Sequence, residues 1–129
     1  MNKTYLITAA LLGAVSVILG AFGAHGLRTR MNAAAFEIFE TAVKYQFYHV
    51  FALLAVAIIT QFIPGNIINW SGKCFIAGII LFCGSLYALS YFKLAGNEQM
   101  DWLGAITPFG GLCFIVGWLL LAVAVIKSH

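Results

Sequence analysis

Four stretches of this chain of 129 residues contain no Lys, Arg, Asp or Glu: Thr4 to Leu27, Tyr45 to Gly72, Cys74 to Phe92 and Trp102 to Ile126, with lengths of 24, 28, 19 and 25 residues. A bilayer's hydrocarbon core is roughly 30 Å thick, and a helix rising about 1.5 Å per residue needs about 20 mostly apolar residues to cross it. Each stretch reaches or approaches that length. The expected fold is therefore all-α, an integral membrane four-helix bundle. A soluble fold would have to hide four nearly all-apolar helices in an interior that a chain of this size does not possess.

The spans are expected at about Tyr5 to Ala24, Tyr45 to Phe62, Ser71 to Phe92 and Gly104 to Ile126, within one transmembrane domain. Between the first two, Met31 to Lys44 changes character. Phe36, Phe39 and Val43 recur at helical spacing on one side, and Glu37, Glu40 and Lys44 on another. This pattern fits an interfacial amphipathic segment lying on the membrane, and fits equally an extension of the second helix into water. Pro64-Gly65-Asn66 signals a turn. Pro108 lacks an amide hydrogen, so a kink or a late start is expected in the fourth helix. Lys3 and the apolar run after it have a signal-peptide look, but the basic region is weak and three more spans follow, so the segment reads as a retained first helix.

Seven basic and four acidic residues give a net charge of +3, scattered along the chain, so no nucleic-acid partner is expected. The three cysteines, Cys74, Cys83 and Cys113, lie in apolar runs without paired-thiol spacing and read as small hydrophobes. Basic residues do not settle orientation: Lys3, Lys73 and Lys127 lie on one side, and Arg28, Arg30, Lys44 and Lys93 on the other.

Because the spans alternate in direction, the ends of the first and third helices share a membrane face with the starts of the second and fourth. The chemistry-bearing residues gather there. His25, Tyr45, His49, Tyr87, Ser90 and Thr107 are the candidate ligand-binding residues, beside Glu37, Glu40 and Asp101. The opposite face offers Gln61, Asn66, Asn69, Ser71 and the terminal His129. His25 and His49 with Glu40 are of metal-ligand type, yet no ligand-like spacing joins them; a histidine bonded to a neighbouring carbonyl is the plainer reading, and no metal site is expected. Tyr45, Tyr48, Tyr91, Trp70 and Trp102 near span ends are explained by an aromatic belt. No span carries a charge near its centre, which argues against ion-coupled transport by a monomer. No nucleophile elbow, phosphate loop or zinc-protease helix is present, so no catalytic residues and no cofactor are assigned.

Small residues form stripes suited to close helix packing in lipid: Gly13, Ser16, Gly20 and Ala24 on the first helix, Ala77, Gly84 and Ala88 on the third, and Gly110, Cys113 and Gly117 on the fourth. Their ordinary role is packing within the bundle, and the alternative is a subunit interface.

Leu19 to Leu27 (LGAFGAHGL), Tyr45-Gln46-Phe47-Tyr48-His49, Gly84-Ser85-Leu86-Tyr87 and Ile106-Thr107-Pro108-Phe109-Gly110-Gly111 followed by Gly117-Trp118 occur in this order along nearly the whole chain. Together they resemble the small bacterial membrane proteins of domain-of-unknown-function family 423, which have relatives in eukaryotes. The resemblance implies a four-helix membrane architecture and supplies no catalytic residues. It also implies the cell (inner) membrane, with both termini in the cytoplasm. The Glu98-Gln99-Met100-Asp101 loop departs from it, being longer than the family pattern.

Two functional readings follow. The first is a non-enzymatic membrane protein with a structural or interaction role, its partners being the lipid bilayer and either a second copy of itself or another membrane protein. The second is a small-molecule or lipid binder or carrier using the polar cluster at one membrane face, with a pocket between the ends of helices one and three and the starts of helices two and four. Enzymatic action on a lipid or quinone is a third possibility that no residue set compels.

Overall fold

The computed structural model describes residues 1–128 apart from the side chain of Glu98; His129, assigned above to the face bearing the termini, lies outside the described residues. Four helices are long and apolar enough to cross a membrane. They are α1 (Lys3–Leu27), α2 (Ala33–Ile59), α3 (Asn66–Leu94) and α4 (Thr107–Ile126). A 3₁₀ segment, Glu98–Ala105, leads into α4. Helices α1 to α3 are about 38 to 44 Å long and α4 about 30 Å, at about 1.5 Å per residue.

The local chemistry accounts for the ends. Asn2 and Asn32 cap α1 and α2, their side-chain oxygens accepting from the amides of Tyr5 and Ala35. Met31 to Lys44 is continuous with the second span, so of the two expectations for this segment the helical extension is the one observed, and α2 begins at Ala33 rather than near Tyr45. Pro108 stands in the first turn of α4, where its missing amide hydrogen removes no helical bond; this is the late start. In α3 the helix begins at Asn66, one turn earlier than its expected start at Ser71.

Both α1 and α3 contain a π turn, Gly23–Leu27 and Ile79–Cys83 respectively. A π turn inserts one residue and rotates everything after it relative to the regular helical pattern. The consequence in α3 is a correction to the expected stripe: Gly84 is exposed, with open space where a Cβ would stand. The glycine of α3 that meets α4 is Gly78, on which the Phe114 ring rests.

Consecutive helices pack against one another, α1 on α2, α2 on α3 and α3 on α4. Half of the most apolar window of α2 is buried, against 17% for α1, so α2 is the central helix and α1 is peripheral. Glycines set the approach distances. Gly13 faces Val50 and Gly20 faces Val43 across the α1–α2 seam; the Phe39 ring covers Gly23, Tyr5 covers Gly72, and Phe75 covers Gly117. Gly110 differs in that it abuts backbone rather than a ring, that of Phe82 inside the α3 π turn. Without hydrophobicity to drive helices together in lipid, such contacts supply the van der Waals energy of association.

The two glycines make a direct comparison. Gly110→Ala places a methyl group against backbone that cannot rotate away, and overpacking of this kind costs about 1–3 kcal/mol. Gly84→Ala meets nothing and is expected to change stability by no more than about 0.5 kcal/mol. Equilibrium unfolding in mixed micelles, followed by loss of helical circular dichroism, measures both.

Candidate functional site

The six polar residues nominated from the sequence take up three separate environments. His25 lies in the π turn of α1 and is exposed, with no side-chain hydrogen bond among the described residues. Tyr45 and His49 lie one turn apart on α2 and line a single groove of about 420 Å³, open between α2, α3 and α4 and completed by Phe82, Gly111, Phe114, Ile115 and Trp118. Tyr87, Ser90 and Thr107 are engaged in bonds elsewhere. The expected single pocket among all six is thus replaced by an aromatic groove holding two of them. Among the described residues no group of three or more His, Cys, Asp or Glu is placed to hold a metal ion.

His49 is buried at 5% exposure, with its ring stacked on that of Phe114, centroids 3.5 Å apart and planes within 7°. Its Nδ1 lies 2.7 Å from the Tyr45 carbonyl oxygen, which can only accept, so Nδ1 carries the proton. Nε2 is then free to accept from the Trp118 indole N–H at 3.2 Å. The network therefore assigns the neutral Nδ1–H tautomer, with both ring nitrogens used. This is the plainer histidine reading given above, with Trp118 of α4 as the additional partner.

A buried amide that the sequence reading does not nominate ties three helices together within the bundle. Gln46 is 3% exposed and its amide joins three helices: Oε1 accepts from the Tyr87 hydroxyl of α3 at 2.7 Å, and Nε2 donates to the Leu12 carbonyl of α1 at 3.1 Å. Ser16 donates to the same carbonyl at 2.8 Å. Leu12 lies nine residues into α1 from Lys3, about 14 Å along the axis, so this amide sits near mid-membrane. The signal was present, since Gln46 stands within one of the resemblance motifs. Its place as the second residue of a charge-free run, close to Lys44, gives no sign of this depth.

Further ties follow the same plan. Ser71 donates to the Gly117 carbonyl at 2.7 Å, and the hydroxyls of Ser85 and Thr107 meet at 2.7 Å, both joining α3 to α4. Tyr5 donates to the Asn69 carbonyl at 2.7 Å, joining α1 to α3. The backbone amide of Asn2 donates to the Ala57 carbonyl at 3.0 Å and to the Thr60 hydroxyl at 2.9 Å, fixing the N-terminus to the end of α2. Ser90 bonds only within its own helix, to the Tyr87 carbonyl. Among the described residues no buried side-chain nitrogen or oxygen lacks a partner. Tyr87 and Thr107 thus hold helices together and have no hydrogen-bonding hydroxyl left pointing into the aromatic groove.

Hydrogen bonds between helices in a membrane contribute about 0.6 kcal/mol on average and up to about 1.7. Gln46→Leu and Tyr87→Phe are each expected to destabilise by an amount in or above that range, because each leaves a polar partner unpaired in the interior. A double-mutant cycle over the two, measured by unfolding in mixed micelles, is expected to give a coupling energy of about 0.6–1.7 kcal/mol. Additive effects would show that the bond contributes nothing.

Comparison with known proteins agrees with this architecture. A membrane protein of Staphylococcus saprophyticus, named as a UPF0382 membrane protein, is 42% identical over 97% of this chain and 98% of its own length. The UPF0382 membrane protein YwdK of Bacillus subtilis is 39% identical over 97% of this chain and 98% of its own. No solved structure gives a significant match. The family model described as "Protein of unknown function (DUF423)" matches residues 19–111, a segment that holds Gln46, His49 and Tyr87. The chain is a multi-pass membrane protein and belongs to the DUF423 family.

Proposed function

We propose that the protein has a non-enzymatic structural or interaction role in the membrane, as a bundle that associates with further copies of itself through α1. The observation that carries this reading is a second small-residue stripe, on the side of α1 turned away from α2. Ala10, Ala14, Val17 and Ala21 are all exposed and follow one another at intervals of four, three and four residues. That spacing keeps the four residues on one face of α1, and small side chains at those positions let backbones approach closely in lipid. The glycine face of α1 is already occupied by α2, which leaves this alanine face for a partner.

The use of Tyr87, Thr107 and His49 in interhelical bonds supports the same reading, since these are groups that a binder or carrier would need free. The cellular placement is part of the proposal. The bundle lies in the cell membrane with both termini in the cytoplasm, as the family resemblance implies, and accessibility labelling of a single cysteine placed at Ser128 in intact cells tests it.

Self-association is tested by counting subunits of labelled protein in lipid bilayers by single-molecule photobleaching. The wild type is expected to form oligomers at high dilution. Ala14→Phe overpacks the seam and is expected to weaken association about tenfold or more, whereas Leu119→Phe on the outer face of α4 leaves it unchanged. A wild type that stays monomeric at every protein-to-lipid ratio overturns the proposal.

A further inference from the structure

A cleft of about 120 Å³ lies between the end of α1 and the start of α2, lined by Gly20, Gly23, Ala24 and Arg28 from one helix and Phe36, Phe39, Glu40, Val43 and Lys44 from the other. Two helices each bring one base to it. Among the described residues the ion pair present is Lys93 with Asp101, so neither Arg28 nor Lys44 is held by a carboxylate, although Glu40 stands one turn from Lys44. With two bases and one acid in its lining, the cleft carries net positive charge.

Its depth indicates what could fill it. The contact of Gly20 with Val43 puts Lys44 at the level of Gly20, about 25 Å along α1 from Lys3, and Arg28 is about 38 Å from Lys3. Lys3 stands at the opposite membrane face, so the roughly 30 Å hydrocarbon core ends between those two levels. A helical side chain leans toward its own N-terminus, which on α2 is toward Arg28 and the head groups. The lower end of the cleft, floored by Gly20 and Val43, therefore opens to acyl chains. The upper end lies among phosphates. At about 120 Å³ it falls well below the roughly 300–1,000 Å³ of a pocket for a drug-sized ligand, and suits one small anionic group.

We propose that this cleft binds one anionic phospholipid from the bilayer, its phosphodiester between Arg28 and Lys44 and an acyl chain descending over Gly20. The site is independent of the alanine seam, since Ala10, Ala14, Val17 and Ala21 do not line it. Glu40 opposes the lipid phosphate and limits its affinity. A lipid phosphate pairs with such bases wherever the leaflet is anionic, and each base near an anionic surface contributes roughly a fivefold gain in binding.

The test is native mass spectrometry of the full chain in dodecylmaltoside, counting retained phosphatidylglycerol against phosphatidylcholine of the same acyl chains. The wild type is expected to retain one phosphatidylglycerol in preference. Arg28→Gln and Lys44→Gln each reduce that retention about fivefold. Arg30→Gln and Lys93→Gln, on the same membrane face but outside the cleft, leave it unchanged. Glu40→Gln is expected to increase it, a gain that an unfolded variant cannot mimic. Gly20→Leu fills the cleft with all charges retained and is expected to abolish it. Ala14→Phe keeps the lipid whether or not the chain self-associates, which separates this inference from the proposal on α1. Equal retention of the two lipids, loss on Glu40→Gln, or unchanged retention in Arg28→Gln and Lys44→Gln overturns the assignment. Displacement of the lipid by an equal concentration of inorganic phosphate also overturns it, and makes the cleft a site for the free anion.

Discussion

A leucine gains nothing by leaving hydrocarbon for the surface of another helix, so a bundle in a bilayer must be held by forces other than the hydrophobic effect. Two such forces organise this protein. One is close backbone approach, set by glycines covered by aromatic rings and, at Gly110, by the Phe82 backbone itself. The other is the Gln46 amide, which spends both ends of its side chain on neighbouring helices near mid-membrane. The two are coupled through α2. The Gly13 and Gly20 contacts bring α1 near enough for the amide to reach the Leu12 carbonyl, and the amide in turn fixes how far α1 can slide along α2.

The π turn in α3 and the glycine of α4 can be understood as one device. A π turn locally widens a helix and pushes part of its backbone outward. Here the protruding backbone belongs to Phe82, and the residue opposite it is Gly110, which has no side chain to obstruct the approach. Three residues later the hydroxyls of Ser85 and Thr107 meet across the same pair of helices. Pro108, the first-turn residue of α4, ends the 3₁₀ approach and starts the helix in register for both contacts.

The legible parts of the sequence were those governed by solvent. Charges avoid hydrocarbon, so the number of spans, their order and the membrane itself could be read directly from four charge-free runs. The same criterion misplaced the start of α2, because a helix does not stop where it leaves lipid. Its backbone bonds are satisfied internally, and Glu37, Glu40 and Lys44 can project into the head-group region. Gly84 failed for a different reason: a regular period was projected through a π turn that nothing in the local composition announces. The candidate site was legible only as a membrane face. His25, Tyr87, Ser90 and Thr107 are indeed near helix ends, but which of them meet depends on helix rotation, and rotation is set by the glycine contacts that the sequence cannot pair. Gln46 needed the same information, since its depth becomes apparent only when α1 is laid beside it.

The distribution of burial bears on how such a protein can act. Gln46 and His49 of α2 and Ser71, Ser85 and Tyr87 of α3 are committed to bonds between helices, and α2 is half buried, so these helices form a frame with little freedom to rotate. The peripheral helices differ from each other. Helix α4 presents large side chains outward, including Phe109, Leu112, Ile115 and Leu119, which suit a disordered lipid shell. Helix α1 also exposes large side chains, Leu11 and Ile18 among them, but adds a row of alanines on one side and, beside its end, the Arg28 and Lys44 cleft on another. A shallow alanine groove lets a second helix approach more closely than lipid chains can pack, and the cleft offers a head group two bases. On the two proposals made above, specific contact with the surroundings is concentrated on α1, the helix least buried by its own bundle.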